Sequence, residues 1–264
     1  MSRLVKLLTL AALTCALIAP LAGTASAETA AYPVKNPKLT DNALYEAGAL
    51  PTTTCAEPRV KRNDRKLARA YIDAVVDCLN TTWGQHLTNA GLPFEPAKVR
   101  HVSRIPKNYC GFDPSKNDSQ SRYCETNGTL FFQVGKDWLD DPYDLWLLET
   151  TAFMYGYHVQ ELVGIYPAYD ALKYGKKAEG YEQDRREYLQ LECLAGTFVK
   201  SIWPMENRKS SDWNYFLNLV TGDRRGEEPT AGKAATIRAW IKRGFATGDP
   251  ASCNTWKAPS SQVR

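Results

Sequence analysis

The chain has 264 residues, with 33 Lys and Arg against 29 Asp and Glu, three His, and a formal charge of +4. A balance this near neutral gives no reason to place nucleic acid or an anionic membrane among its partners. The length allows one sizeable core and at most two small ones, so a single domain is expected.

The first predicted element is a targeting segment. Arg3 and Lys6 supply a basic start, Leu7 to Ala22 an apolar run, and Thr24-Ala25-Ser26-Ala27 a small-residue ending, the order of a secretory signal peptide cut after Ala27. Pro20 and the shortness of the run argue against a membrane span, which needs about 20 unbroken apolar residues. The mature product is therefore expected to be secreted and free of the membrane. Its formal charge falls from +4 to +2 once Arg3 and Lys6 are removed. Cys15 leaves with the signal, so six cysteines remain: Cys55, Cys78, Cys110, Cys124, Cys193 and Cys253. Six cysteines in an exported chain imply up to three bridges, drawn from 15 pairings that spacing alone does not separate. A structural zinc site is a poor alternative, because no pair has the Cys-x-x-Cys spacing.

Residues 28–54, rich in Ala, Pro and Thr, read as an extended lead-in. A helix is expected next, capped by Asn63 and running to about His86, since Leu67, Ala70, Tyr71, Ala74, Val75, Cys78 and Leu79 recur at three and four. The basic cluster of Arg59, Lys61, Arg62, Arg65 and Lys66 is its solvated start. Residues 98–103 alternate and residues 128–134 are dense in β-formers, which predicts a small antiparallel sheet. The polar loop Asp113 to Arg122 lies between Cys110 and Cys124, and a local bridge across it is the first pairing expected. Four helical segments follow: Tyr143 to Val163, Gln183 to Trp203 stopped by Pro204, Trp213 to Val220, and Ala231 to Thr247 stopped by Gly248-Asp-Pro250. The expected class is α+β, mainly helical, and stapled by disulfides.

Two blocks carry the chemical information. The first is Leu148-Glu-Thr-Thr-Ala-Phe153-Met154-Tyr-Gly156-Tyr157-His158-Val159-Gln160, and the second is Glu187-Tyr188-Leu-Gln190-Leu-Glu192-Cys193-Leu-Ala195-Gly196. In this order, on consecutive long helices, they resemble the secreted and membrane-linked neutral zinc metallopeptidases of bacteria. There the first block reads approximately Ala-His-Glu-x-Gly-His-His-Val-Gln and the second Glu-Leu-Gln-Ala-Asp-Cys-x-Ala-Gly. The resemblance extends to Tyr123-Cys124 before the β-run at Thr129 to Phe132, and to Gly248-Asp-Pro-Ala-Ser-Cys253 near the end. It implies a zincin-like domain over residues 55–264. It also implies bridges between Cys193 and Cys253 and between Cys55 and Cys78, beside the local Cys110–Cys124 bridge.

In such a site two His four residues apart hold zinc from one helical face, a second helix supplies a third ligand, and the Glu after the first His acts as general base on the metal's water. Carried over position by position, the first His falls on Phe153, the Glu on Met154, the second His on Tyr157 and the third ligand on Tyr188. All four roles are vacant, while the frame of Gly156, His158, Val159, Gln160, Leu189, Gln190, Cys193, Ala195 and Gly196 matches. Three rings and a thioether are expected to plug the place of the metal and its water. The two Tyr hydroxyls would then need partners, with His158 and Glu192 as candidates. No zinc or other cofactor is expected. A residual polar site built on His158, Glu161 and Glu192 is a poor zinc set beside the known three-ligand ones. Glu149 reads as a charge on a helix face.

No Gly-x-Ser-x-Gly, free catalytic thiol or phosphate loop is present. The leading expectation is a secreted, non-catalytic metallopeptidase relative, a pseudoenzyme that binds a peptide or protein in the former substrate cleft. The alternatives are a peptidase with a non-standard metal site around His158, and an exported structural protein without a ligand.

Overall fold

A computed structural model describes residues 31–142 and 145–264. The predicted signal, residues 28–30 of the lead-in and the predicted helix start at Tyr143 lie outside the described residues. The fold is α+β and mainly helical, with one small sheet.

The lead-in is not extended. Residues 31–54 carry α1 (Pro37–Thr40) and a 3-10 turn over Ala43–Glu46, started by Asn36 and Asn42, whose side chains accept from the Lys38 and Leu44 amides. Leu39 and Leu44 are thereby carried into the core, both fully buried. Helix α2 (Arg65–Asn89) is capped by Asp64, which accepts from the Leu67 amide, rather than by Asn63, whose φ of 60° is unlike that of a cap. Its buried Ala68, Tyr71, Ile72, Val75, Val76, Leu79, Trp83 and Leu87 follow the helical period.

Strands β1 (Lys98–His101), β2 (Gln120–Cys124) and β3 (Thr129–Gln133) form a sheet in the order β1-β3-β2. It is mixed, which corrects the antiparallel expectation. A tight turn ending at Gly128, φ 64°, makes β2 and β3 an antiparallel hairpin, but β3 then runs parallel to β1 on its other side. Alternation of side chains marks a strand without giving its direction.

Helix α3 (Trp146–Leu162) ends at Gly164, whose φ of 76° suits glycine, and a short α4 (Ile165–Asp170) follows. Helix α5 (Lys177–Ser201) begins a turn and a half before the expected Gln183; its polar first turn is tied by Glu179 accepting from the Gly175 amide at 2.8 Å. Helices α6 (Ser210–Leu219) and α7 (Ala234–Thr247) complete the bundle. α5 and α7 meet backbone to backbone: a Cβ on Gly244 would lie 2.0 Å from the Cys193 carbonyl oxygen, and one on Gly196 2.3 Å from that of Ile241.

The cysteines stand in three pairs at bonding distance, Cys55 with Cys78, Cys110 with Cys124 and Cys193 with Cys253, at Cα separations of 5.8, 5.5 and 5.4 Å. Among the described residues no helix is long and apolar enough to cross a membrane.

Candidate functional site

Helices α3 and α5 lie side by side because Gly156 leaves room for Leu191, whose Cδ2 would be 2.9 Å from a Cβ there. This packing brings the two sequence blocks together. Phe153 sits 5.2 Å from Tyr188 and 5.8 Å from Tyr157, centroid to centroid, the second pair edge-on. Met154 is buried beside them. Tyr123 from β2 stacks on Tyr157 at 6.4 Å, and Tyr166 from α4 meets it edge-on at 5.9 Å. These side chains form the floor of an open cleft of about 650 Å³, whose rim includes Asp113, Ser121, Arg122 and Glu125. The rings and the thioether occupy the four positions carried over from the motif, and the cleft lies open above them.

His158 is fully committed. Its Nε2 lies 2.7 Å from the Glu95 carbonyl oxygen, which only accepts, so Nε2 carries the hydrogen. Its Nδ1 then accepts from the Tyr123 hydroxyl at 3.0 Å. Burial lowers the imidazole pKa, outweighing the Glu95 carbonyl, which favours the charged form. No hydrogen bond or ion pair joins His158 to Glu161 or Glu192 among the described residues. Glu161 is half-buried, its pKa raised by burial and by the charge of Glu125. Glu192 is buried and does not line the cleft.

Of the two tyrosines at vacated positions, Tyr188 finds its partner in Glu192, while His158 serves Tyr123 instead of Tyr157. Glu192 is buried one turn beyond Tyr188, and Glu149 is buried one turn before Phe153. The two carboxyls interact with each other. Burial raises both pKa values; Glu149 goes well above the usual range because the Glu192 charge and the hydrogen bond add to its burial, while hydrogen bonds from Glu149 and Tyr188 hold Glu192 back. Burial thus favours the neutral form of Glu149, a carboxyl inside the helix packing and not a charge on a helix face. Glu187 is buried too; burial first, then the charge of Asp184, pushes its carboxyl up to about 8, and its Oε1 has no hydrogen-bond partner among the described residues.

A family model described as "Putative neutral zinc metallopeptidase" matches residues 31–218. The chain belongs to this metallopeptidase family. Two curated relatives, the uncharacterized protein YpfJ of Escherichia coli strain K12 and that of strain O6:H1, are each 27% identical over 207 residues, covering 72% of this chain and 71% of theirs. No solved structure matches at a significant level. The family match ends before the stretch Gly248 to Cys253, which here packs back on α5 through the Cys193–Cys253 pair.

The donor set does not suit the family's zinc. Phe153 has no lone pair to offer, Tyr157 and Tyr188 carry phenols whose pKa values burial raises far above their usual range, and Met154 is a thioether. Among the described residues no three His, Cys, Asp or Glu side chains lie together as a metal cluster. Tyr166 and Arg122 are parts of the cleft that sequence reasoning missed. Tyr166 lies on a six-residue helix containing Pro167, too short for a periodic signal, and Arg122 was read as loop.

Proposed function

We propose that the protein is an exported, catalytically inactive member of the metallopeptidase family that binds an extended peptide or protein segment in its cleft. One observation carries the reading: side chains unsuited to zinc fill the four chemical positions, while the cleft above them stays open beside strand β2. That strand is an edge of the sheet, and an extended chain can pair with such an edge through its main chain. Binding needs the cleft but not the ligand set, so the frame can persist without catalysis. Export is supported by the three cysteine pairs at bonding distance, which suit an oxidising compartment.

The test is calorimetric titration of the protein, purified in the presence of chelator, with a pool of varied decapeptides. Saturable heat without cleavage of any peptide is expected. A flat titration, or chelator-sensitive cleavage, would contradict the reading.

A further inference from the structure

The cleft combines aromatic rings with negative charge. Tyr123, Phe153, Tyr157, Tyr166 and Tyr188 line it together with Glu125 and Asp113, and Glu161 is one turn beyond Tyr157. None of these three carboxylates has an ion pair among the described residues. The basic residue on the rim, Arg122, is turned back on its own strand, its guanidinium donating to the Ser121 carbonyl at 2.7 Å and reaching Gln120 Oε1 at 3.5 Å. Tyr157 and Tyr166 make no side-chain hydrogen bond among the described residues, so their rings and hydroxyls remain available to an occupant.

Ring faces carry partial negative charge and attract cations, most strongly where water is partly excluded. Carboxylates nearby add to that attraction, and the long apolar stem of Lys or Arg suits the ring surfaces. We infer that the cleft selects an extended peptide carrying a Lys or Arg side chain, whose cationic head lies among these tyrosines and faces Glu125. The Glu125 charge bears on this region already: after burial, it helps to raise the pKa of both Tyr166 and Glu161.

This inference rests on the peptide-binding reading above, and the test separates the two. Two decapeptide pools, identical except for Lys or Arg at the centre of one and norleucine or citrulline at the centre of the other, are titrated into the full protein. Tighter binding of the basic pool by about tenfold is expected, weakening with salt. The exposed substitution Glu125→Gln should cut that preference to about threefold or less, with thermal unfolding of the variant unchanged. Equal affinity for both pools, or a preference untouched by Glu125→Gln, would overturn the basic selectivity and leave peptide binding standing. If neither pool bound, or an oligosaccharide such as cellopentaose bound instead, both readings would fall.

Discussion

Replacing Glu187 by Gln removes a carboxyl that α5 holds in the protein interior with its proton on. Glu187 is 5% exposed and faces the phenols of Tyr157, Tyr166 and Tyr169, with the charge of Asp184 nearby. Its pKa of about 8 in the fold stands above the 4.5 of the free side chain. A raised folded pKa means that the native state holds a proton which the unfolded chain has released. The stabilising effect is therefore whole below about pH 4.5 and is lost as pH climbs through about 8. At about 1.4 kcal/mol per unit, the full loss is on the order of 4 to 5 kcal/mol, a large share of the stability of an ordinary domain. Gln keeps the shape and cannot ionise. Urea unfolding followed by tryptophan fluorescence, with disulfides intact, should give near-equal stabilities for the two proteins at pH 5. At pH 9 the variant should be ahead by a few kcal/mol. The phenols titrate above this window, and the Glu149–Glu192 pair is common to both proteins, so it drops out of the difference. Parallel pH profiles for Glu187 and the Gln variant would refute the buried, protonated carboxyl.

Other perturbations have equally direct readouts. Tyr123→Phe removes the donor to His158 Nδ1 and leaves a buried acceptor unpaired, which should cost about 1 to 3 kcal/mol in denaturant unfolding; no loss would mean that the imidazole is not held as described. Gly244→Ala drives a methyl into the Cys193 carbonyl, so it should destabilise by about 3 kcal/mol or more, visible as a lowered melting temperature, and an unchanged melt would contradict the close α5–α7 contact. The fourfold change Phe153→His, Met154→Glu, Tyr157→His and Tyr188→Glu should confer tight zinc binding, read by titration against a chromogenic chelator. Failure of a folded variant to take up zinc would show that these positions do not converge as the metal site of the family.

The helical period made the long elements readable. α2 and α3 bury apolar residues at helical spacing, and both blocks of the site lie on long helices; it is the resemblance to the metallopeptidase family that placed Phe153, Met154, Tyr157 and Tyr188 together beforehand. The first turn of α5 was missed because Lys177 to Glu182 show no apolar period, and α1 because its anchors Leu39 and Leu44 are isolated among polar neighbours. Contacts between distant segments left no local trace. The Tyr123–His158 bond joins residues 35 apart and exists only because β2 folds over α3. The Glu149–Glu192 pair joins two helices, so Glu149 alone read as a charge on a helix face and Glu192 as a partner for a tyrosine hydroxyl. The extent of the cleft over the aromatic floor was likewise hidden, since ring identities do not reveal how far neighbouring strands and loops stand away.

The most direct test of the vacated site is the zinc content of the purified, untagged protein after mild dialysis, measured by elemental mass spectrometry. Far less than one zinc per chain is expected, because rings and a thioether stand where the ligands and the base would be, and both nitrogens of the neighbouring His158 are hydrogen-bonded. Near-stoichiometric zinc would contradict the account and direct attention to a metal site built from other residues of the cleft.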